Sequence, residues 1–329
     1  MDLELTRKTT ELMPNLSEDG GMDKDLLMPM PSVVAVVLNY RHPEDALRCV
    51  RTLRKQDYAQ LHILVVDNAS PDSSYDALCN ALRGESGASV IQCKVNGGYA
   101  MGNNFGVRHA MNVSHPKYIL VANPDVEFIE DNTVRKLVAC AEAAEDAGVV
   151  APKVVFPDGY IQGPCGRPRL WLMALQYLIP PLWLVVRWFA QRRSRMLRVP
   201  TKVFRTVGAC MLLVVEEFCK VGMFDEGTFL EGEEDILAER LGAISKHFYY
   251  LPSTTVVHHH SRRQYKNTRA AQRYYFRKYR GKSQLAISLL MLSSLYYEHL
   301  VYPFVRMIRR WKLRHSGSEP TRTLSSPAT

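Results

Sequence analysis

The chain has 329 residues, of which 47% are hydrophobic, and it carries a formal net charge of +9 at pH 7. A chain of this length and composition can bury a large core, so we expect one large globular domain, alone or with an appendage. The seven cysteines form no CxxC pair and no zinc-ligand spacing, and an odd number without pattern is typical of a reduced, cytosolic protein.

The positive charge is concentrated in the second half of the chain. No acid lies between Gly159 and Val215, where there are nine Lys or Arg residues, and Arg262 to Arg314 holds fourteen basic residues and one acid. Such clusters favour a polyanionic partner, either a nucleic acid or an anionic membrane surface. Residues 1–31 and 316–329 have the composition of a disordered leader and a disordered tail.

From residue 33 to residue 145, apolar runs alternate with stretches of helical spacing. The predicted order is strand 33–38, helix 43–55, strand 63–66, helix 75–82, strand 90–93, helix 97–112, strand 118–122 and helix 133–145. Alternation of this kind, with continuously apolar strands, predicts a mainly parallel sheet with helices on both faces.

Polar residues follow three of these strands at the point where each strand ends. They are Asn39-Tyr40, Asp67-Asn68 and Asn123-Pro124-Asp125. Ligands of open parallel sheets bind outside the carboxyl ends of the strands. We therefore expect the three groups to converge on one edge of the sheet.

Two apolar stretches lie outside this pattern. Residues 170–190 are rich in tryptophan, but Pro180-Pro181 interrupts them, so neither half reaches the ~20 helical residues that span a bilayer. Four arginines follow, at 192, 193, 195 and 198, which favours a segment lying in a membrane interface over a core insertion of two short helices. Residues 285–308 are interrupted by Glu298 and Pro303, so an interfacial helix or hairpin is favoured there over a spanning helix.

Asp125 is a candidate metal ligand. Proteins commonly hold Mg²⁺ by one or two carboxylates, with phosphate oxygens and water completing the shell. The alternative is a simple turn, because Asn-Pro, here Asn123-Pro124, often initiates one. His258 follows the predicted strand Thr254–Val257 and could complete the shell around Asp125.

Four acids crowd the five positions from Glu231 to Asp235. Like charges this close raise the pKa of a carboxyl, and a raised pKa suits a general base for a sugar hydroxyl. The alternative is a helix that begins there, since acids in the first turn complement the helix dipole.

Two further features each have a functional and a structural interpretation. Asp67 could accept a nucleobase N–H or cap the next helix. The glycine-rich segment from Asn96 to Asn104 could cradle a phosphate or allow close packing of a helix on a strand.

Taken in order, the motifs resemble those of the family 2 glycosyltransferases, especially the rhamnosyltransferase-like branch that extends bacterial surface polysaccharides. The resemblance runs from about Val33 to about Ser261. It is carried by V-V-L-N-Y, V-V-D-N-A-S, N-x-G-Y-A-x-G-N-N, N-P-D-V, V-G-A-C-M-L, F-D-E-G-T-F-L and E-E-D-I-L-x-E-R-L.

The resemblance implies a GT-A fold, an α/β Rossmann-like domain with a mixed, mainly parallel sheet flanked by helices, over residues 32–265. Residues 167–200 would be a membrane-interfacial insertion in this domain. Residues 266–315 would form a basic and apolar helical extension that associates with a membrane.

The resemblance also implies the donor site. Asp67 would contact the nucleobase and Asn39 the nucleoside, while Asn104 and the Gly97-Gly98 loop would line the site together with Asn123. Asn123 stands where the family's Asp-x-Asp motif has its first Asp, so the metal would have fewer charged ligands.

The resemblance also implies which residues bind the metal and which one acts as the base. Asp125, at the last Asp of Asp-x-Asp, would bind Mg²⁺ or Mn²⁺ with the help of His258. Glu234 falls at the position of the catalytic base, with Glu233 and Asp235 as alternates because the family's Glu-Asp motif is blurred here.

The implied reaction is a metal-dependent, inverting transfer of a sugar from a dTDP- or UDP-linked donor to a polyprenyl-diphosphate-linked glycan, in cell-surface polysaccharide synthesis. We expect a cytoplasmic protein bound peripherally to the anionic inner face of the cell membrane, without a nucleic-acid partner. One alternative is a sugar-phosphate nucleotidyltransferase, but its glycine-rich signature is missing after Asn39. The other, a non-catalytic membrane adaptor, is disfavoured by the intact set of Asp125, Glu234 and His258.

Overall fold

A mixed β-sheet runs through the protein, whose computed structural model describes residues 30–259 and 265–303. Its described strands are β1 (Val33–Asn39), β2 (Leu61–Asp67), β3 (Ala88–Gln92), β4 (Tyr118–Ala122), β5 (Val126–Phe128), β6 (Ala147–Val155), β7 (Thr201–Val203), β8 (Cys210–Val214) and β9 (His247–His258). The order is β3-β2-β1-β4-β8-β6-β9-β5, with β7 also paired to β9. The first four strands are parallel, β8 runs antiparallel to both β4 and β6, and β6 runs parallel to β9.

Helices cover the sheet and extend beyond it. They are α1 (Pro43–Leu53), α2 (Ser74–Ala81), α3 (Gly98–Ser114), α4 (Thr133–Ala143), α5 (Leu170–Leu178), α6 (Pro180–Met196), α7 (Val215–Lys220), α8 (Glu233–Ala243), α9 (Tyr265–Lys278), α10 (Gln284–Tyr296) and a π-helical turn (Tyr297–Val301). The predicted α/β architecture is confirmed. The predicted tail, residues 1–29 of the leader, and His260 lie outside the described residues.

The three polar strand ends converge, as the sequence predicts. In the parallel register Asn39 lies opposite Asp67, and Val37 lies opposite Ala122, the residue before Asn123. All three ends therefore lie on one edge of the sheet, next to the start of α3.

Glycines bring α3 close to the sheet. A Cβ atom on Gly106 would come within 2.8 Å of the side chains of Val36 and Val66, and one on Gly102 would come within 2.6 Å of Leu38. The glycine-rich segment thus serves helix–strand packing at these two positions. Since β1, β2 and β4 are buried almost throughout, α3 covers one face of the parallel half of the sheet.

The C-terminal helices add a second apolar cluster. Ile236 of α8 packs with Tyr275 and Phe276 of α9 and with Leu290 and other buried residues of α10, while the inner side of α5 covers this cluster. The Pro180-Pro181 pair divides the tryptophan-rich stretch as predicted, because α5 ends at Leu178 and α6 begins at Pro180. No helix within the described ranges is long and apolar enough to cross a membrane.

Asp225 ties α9 to the rest of the domain. Its carboxylate pairs with Arg240 (3.0 Å) and Lys278 (2.9 Å) and accepts hydrogen bonds from the hydroxyls of Tyr274 and Tyr279. Burial raises the pKa of this carboxyl, but the hydrogen bonds from Tyr279, the Gly227 amide, Lys278 and Tyr274 outweigh it and hold the pKa far below its usual range. The ionised carboxylate is therefore part of the folded structure.

We predict that Asp225→Asn lowers the free energy of unfolding by about 3 kcal/mol at neutral pH, because two cations lose a buried partner. A depressed pKa stabilises the fold above the unfolded-state pKa and stops doing so as the pH falls, so the two proteins should converge in acid. Urea denaturation at several pH values measures this.

The matched control is Asp57→Asn, which removes the exposed Asp57–Arg135 pair and should cost no more than about 0.5 kcal/mol. Equal losses in the two variants would contradict a special role for Asp225.

Candidate active site

A cavity of about 910 Å³ lies beyond the strand ends, between the sheet, α8 and α9. Five residues that the sequence singles out line it, namely Asn123, Glu233, Glu234, Asp235 and His258. Another wall comes from α9, with Thr268, Ala271, Gln272, Tyr275 and Phe276, and from α5, with Met173. The cavity thus joins a polar, acidic side to an apolar side.

Asp125 contacts His258, but of the two only His258 lines this cavity. Asp125 lies in the turn between β4 and β5, and β5 pairs with the end of β9, which sets Val126 opposite His258. As a result, Asp125 Oδ1 lies 3.2 Å from His258 Nε2. The Asn-Pro segment does form a turn, and that turn is what brings the carboxylate to the histidine.

The imidazole of His258 is held from several sides. Its Nδ1 lies 3.1 Å from Gln162 Oε1, its Nε2 lies 3.4 Å from Asn123 Nδ2, and its ring stacks on Phe156 at a centroid distance of 6.2 Å. In the tautomer whose Nδ1–H donates to Gln162, Nε2 presents a lone pair beside the Asp125 carboxylate. That is the arrangement a cation-binding histidine adopts.

His259 points to a different partner. Its Nε2 lies 2.8 Å from Glu127 Oε2, and its amide donates to the carbonyl of Asp125. Within the described residues, no group of three or more His, Cys, Asp or Glu side chains could hold a metal ion. Any cation here would have Asp125 and His258 as its protein ligands, with Asn123 beside them.

The three consecutive carboxylates at the start of α8 have three different environments. Glu233 is 2% exposed, and its Oε1 has no hydrogen-bond partner among the described residues. Burial, and next the charge of Glu234, raise the pKa of Glu233 to about 8. Glu233 is therefore protonated at neutral pH.

Asp235 and Glu234 are both engaged by the segment before β8. Asp235 forms an ion pair with Arg205, and burial raises the pKa of Asp235 although the Arg205 guanidinium opposes the shift. Glu234 Oε1 accepts the amide N–H of Gly208 at 2.8 Å. A Cβ atom on Gly208 would lie 2.6 Å from that oxygen, so the glycine allows the carboxylate its position.

The predicted nucleoside-contacting residues lie next to each other but are buried. Asp67 is 0% exposed and accepts hydrogen bonds from Asn39 Nδ2, Gln92 Nε2 and both the amide and the hydroxyl of Ser70. The carboxylate thus holds together three strand ends in this structure. Asn39 and Asp67 are not among the residues that line the cavity.

The glycine loop and Asn104 bind the segment that leads to α8. A Cβ atom on Gly98 (φ +82°) would lie 1.9 Å from the Phe229 carbonyl oxygen, to which the Tyr99 amide donates. Asn104 is 1% exposed and exchanges two hydrogen bonds with the backbone of Phe224. Gly97, Gly98 and Asn104 lie outside the cavity lining, one layer behind it.

Several contacts of the site have no signal in the sequence. Tyr99 donates its hydroxyl to the carbonyl of Gly208, and Gln162 and Arg205 hold His258 and Asp235. The two residues of each contacting pair lie between 30 and 109 positions apart in the chain. The motif F-D-E-G-T-F-L points to the Asp225 cluster, but nothing in it indicates that α9 closes the cavity.

The fold is that of the GT-A glycosyltransferases. A mannosyltransferase from Pyrobaculum calidifontis, solved with GDP-Man and Mn2+, has a TM-score of 0.53 and 16% identity over 97% of this chain and 83% of its own. GalNAc-T7, solved with UDP, GalNAc and Mn2+, has a TM-score of 0.55 and 14% identity over 84% of this chain and 58% of its own. At such identities the likeness is one of fold.

The chain belongs to glycosyl transferase family 2, whose profile matches residues 32–213, more than half of the chain. Rhamnosyltransferases from two Mycobacterium tuberculosis strains, which act on N-acetylglucosaminyl-diphospho-decaprenol by name, are 28% identical over 201 residues, or 58% of this chain and 64% of theirs. A low-salt glycan biosynthesis hexosyltransferase of Haloferax volcanii is 24% identical over 199 residues, or 60% of this chain and 58% of its own.

The matches thus span less than two thirds of these relatives. They confirm the family expected from the motifs and disfavour the nucleotidyltransferase and adaptor alternatives. The profile match ends before α8, so the carboxylates at 233–235 and the α9 wall lie outside it.

The raised pKa of Glu233 makes a prediction about stability. The native state binds a proton more tightly than the unfolded state between the ordinary glutamate pKa of 4.5 and about 8, so the protein should lose stability as the pH rises through this window. Glu233→Gln mimics the protonated form and should remove this loss. The variant should melt at a higher temperature than the unaltered protein above pH 8 and at a similar temperature in acid.

Thermal unfolding followed by circular dichroism over the acid, neutral and alkaline range measures the effect. Glu44→Gln, at an exposed position of α1, serves as the control and should leave the pH profile unchanged. A Glu233→Gln profile that runs parallel to that of the unaltered protein would refute the raised pKa.

Proposed function

We propose that the protein is an inverting glycosyltransferase that moves a sugar from a nucleoside diphosphate to a lipid-diphosphate-linked glycan. The observation that carries the proposal is the cavity itself, which is lined by both His258 and the carboxylates of α8, while Asp125 contacts His258 from outside the lining. The Asp125–His258 pair suits a diphosphate and its cation, and the carboxylates suit an acceptor hydroxyl. Membership of family 2 supports the transfer of a sugar.

The Asp125–His258 pair fits a divalent cation. A carboxylate oxygen and an imidazole nitrogen 3.2 Å apart can present two lone pairs to the same point, and Gln162 holds the imidazole through its other nitrogen. Mg²⁺ or Mn²⁺ bound there would neutralise the charge that develops on the departing diphosphate. Both structural neighbours were solved with Mn2+, which is consistent with such a site.

Glu234 is the best-placed base. Burial keeps Glu233 protonated at neutral pH, and Asp235 is engaged by Arg205, so neither suits the removal of a proton. Glu234 lines the cavity and is oriented by the Gly208 amide. It would accept the hydroxyl proton as the acceptor oxygen bonds to the anomeric carbon and the bond from that carbon to the phosphate oxygen breaks.

Two observations support this acceptor class. The mycobacterial relatives are named for a sugar carried on diphospho-decaprenol, and the cavity has an apolar wall built from Met173, Tyr275 and Phe276. A dTDP- or UDP-linked hexose or deoxyhexose as donor is the corresponding proposal. Incubation of the purified protein with a panel of nucleotide sugars and a prenyl-diphosphate-linked N-acetylglucosamine tests it, with mass spectrometry of the lipid product as the readout. No product with any donor would overturn the acceptor class.

We predict that Glu234→Gln lowers the release of nucleoside diphosphate by about a hundredfold or more, because general-base catalysis supplies factors of this size. Glu233→Gln should stay within about tenfold of the unaltered enzyme, since the amide replaces a carboxyl that is already neutral. Initial rates with saturating donor measure both effects. The opposite order of the two variants would make Glu233 the base.

A second prediction concerns the cation. Mn²⁺ and a nucleoside diphosphate together should raise the melting temperature of the unaltered protein by mass action, and Asp125→Asn should abolish this shift. Glu127→Gln lies two residues away and removes only the exposed contact with His259, so it should keep the shift. An unchanged shift in Asp125→Asn would exclude Asp125 as a ligand.

A further inference from the structure

Helix α6 has an inner face that is fastened to the domain and an outer face that is exposed. On the inner face, the Arg187 guanidinium lies 3.8 Å from the centre of the Tyr160 ring, and the Gln191 side chain exchanges two hydrogen bonds with the backbone of Ile161. On the outer face, Leu184, Val185, Trp188 and Phe189 are between 49% and 60% exposed. These four lie one turn apart on one side of the helix, so they form a continuous apolar strip.

Helix α10 repeats this arrangement. Its inner side, with Ile287, Leu290 and Met291, is buried in the second apolar cluster. Its outer side carries Leu285, Leu289, Leu292 and Tyr296, which follow one another at helical spacing and are between 42% and 72% exposed. A soluble protein seldom leaves two such strips uncovered without a partner for them.

Helix α5 lies between these helices and the cavity. It packs against both α6 and α10. Its Met173 lines the cavity, whereas Trp171 and Leu178 are 61% and 50% exposed. The apolar surface formed by the outer sides of α5, α6 and α10, called the outer face below, therefore begins where the cavity wall ends.

Basic residues outnumber acidic ones around the outer face, and Glu298, just after α10, is paired with Arg269. The last turns of α6 carry Arg192, Arg193 and Arg195, all exposed, and the Arg192 guanidinium lies 5.6 Å from the centre of the Trp188 ring. Neither residues 160–215 nor residues 283–297 contain an acid. A second copy of the chain meeting this face would offer these arginines no carboxylate from the same helices, whereas anionic lipid phosphates would neutralise them.

We infer that the outer face docks on an anionic lipid bilayer, with the apolar strips among the acyl chains and the arginines of α6 at the phosphates. Tryptophan beside arginine on one helix face is the composition of a helix lying in the membrane interface. Lipid binding of this kind is independent of catalysis. Its benefit, delivery of a lipid-borne acceptor to the apolar wall of the cavity, rests on the proposed function.

Tryptophan fluorescence reports on the surroundings of α5 and α6, because three of the four tryptophans, Trp171, Trp183 and Trp188, lie on these helices. With Trp311→Phe as the background, the emission comes from these helices alone. Vesicles of phosphatidylcholine with added phosphatidylglycerol should shift the emission to the blue, and lipids brominated on their acyl chains should quench it. Vesicles of pure phosphatidylcholine should bind more weakly, and high salt should reduce the binding.

Two sets of variants, assayed by sedimentation with vesicles, separate the contributions. Leu184→Ser with Phe189→Ser should lower the affinity for anionic vesicles at least about tenfold through lost apolar burial, and Arg192→Gln, Arg193→Gln and Arg195→Gln together should do so through lost charge. The matched controls are Val113→Ser with Ile129→Ser, and Arg51→Gln, Lys55→Gln and Arg83→Gln together, all at exposed positions elsewhere. These controls should bind as the unaltered chain does.

Three outcomes would overturn the inference. They are failure of the full chain to sediment with anionic vesicles, full binding by either outer-face variant, and a loss of self-association in these variants without any change in lipid binding. Because the vesicle assays contain no nucleotide sugar, a failure to bind lipid leaves the glycosyltransferase proposal standing. A positive result with an inactive enzyme would reject that proposal alone.

Discussion

The segment from Phe224 to Gly232 is held from two sides, and the cavity depends on that double attachment. On one side, Asn104 binds the backbone of Phe224, and the start of α3 packs against the carbonyl of Phe229. On the other side, Asp225 takes two cations and two hydroxyls, most of them from α9 and the residue that follows it. Since α8 begins directly after this segment, the same contacts set where its carboxylates stand.

Neighbouring carboxylates can differ widely in chemistry when their surroundings differ. Glu233 is buried, its Oε1 has no hydrogen-bond partner among the described residues, and burial outweighs the backbone hydrogen bonds that its carboxyl accepts, so its neutral form is favoured. Asp235 is also buried but meets a guanidinium, and Glu234 meets a backbone amide beside the cavity. One helix terminus therefore provides a neutral acid, an ion pair and an oriented acceptor within three residues.

Much of the fold and part of the site could be predicted from the sequence. Continuous apolar runs identify buried parallel strands, and parallel register then forces Asn39, Asp67 and Asn123 onto one edge. The sequence could not predict which side chains already have hydrogen-bond partners within the protein. The Asp67 carboxylate, for example, accepts a hydrogen bond from Gln92, a residue of another strand. The pairing of Gln162 with His258 and the α9 wall were equally out of reach, since contacts between distant residues leave no periodic pattern in the chain.

The position of α9 has a consequence for how the protein is made. The last strand of the sheet ends at His258, whereas the cavity wall comes from residues 265 onwards. Chains emerge from the ribosome with their N-terminal part first. The sheet and the Asp125–His258 pair can thus form while the cavity still lacks one wall. The site is enclosed only after α9 has been synthesised and has bound to the Asp225 carboxylate.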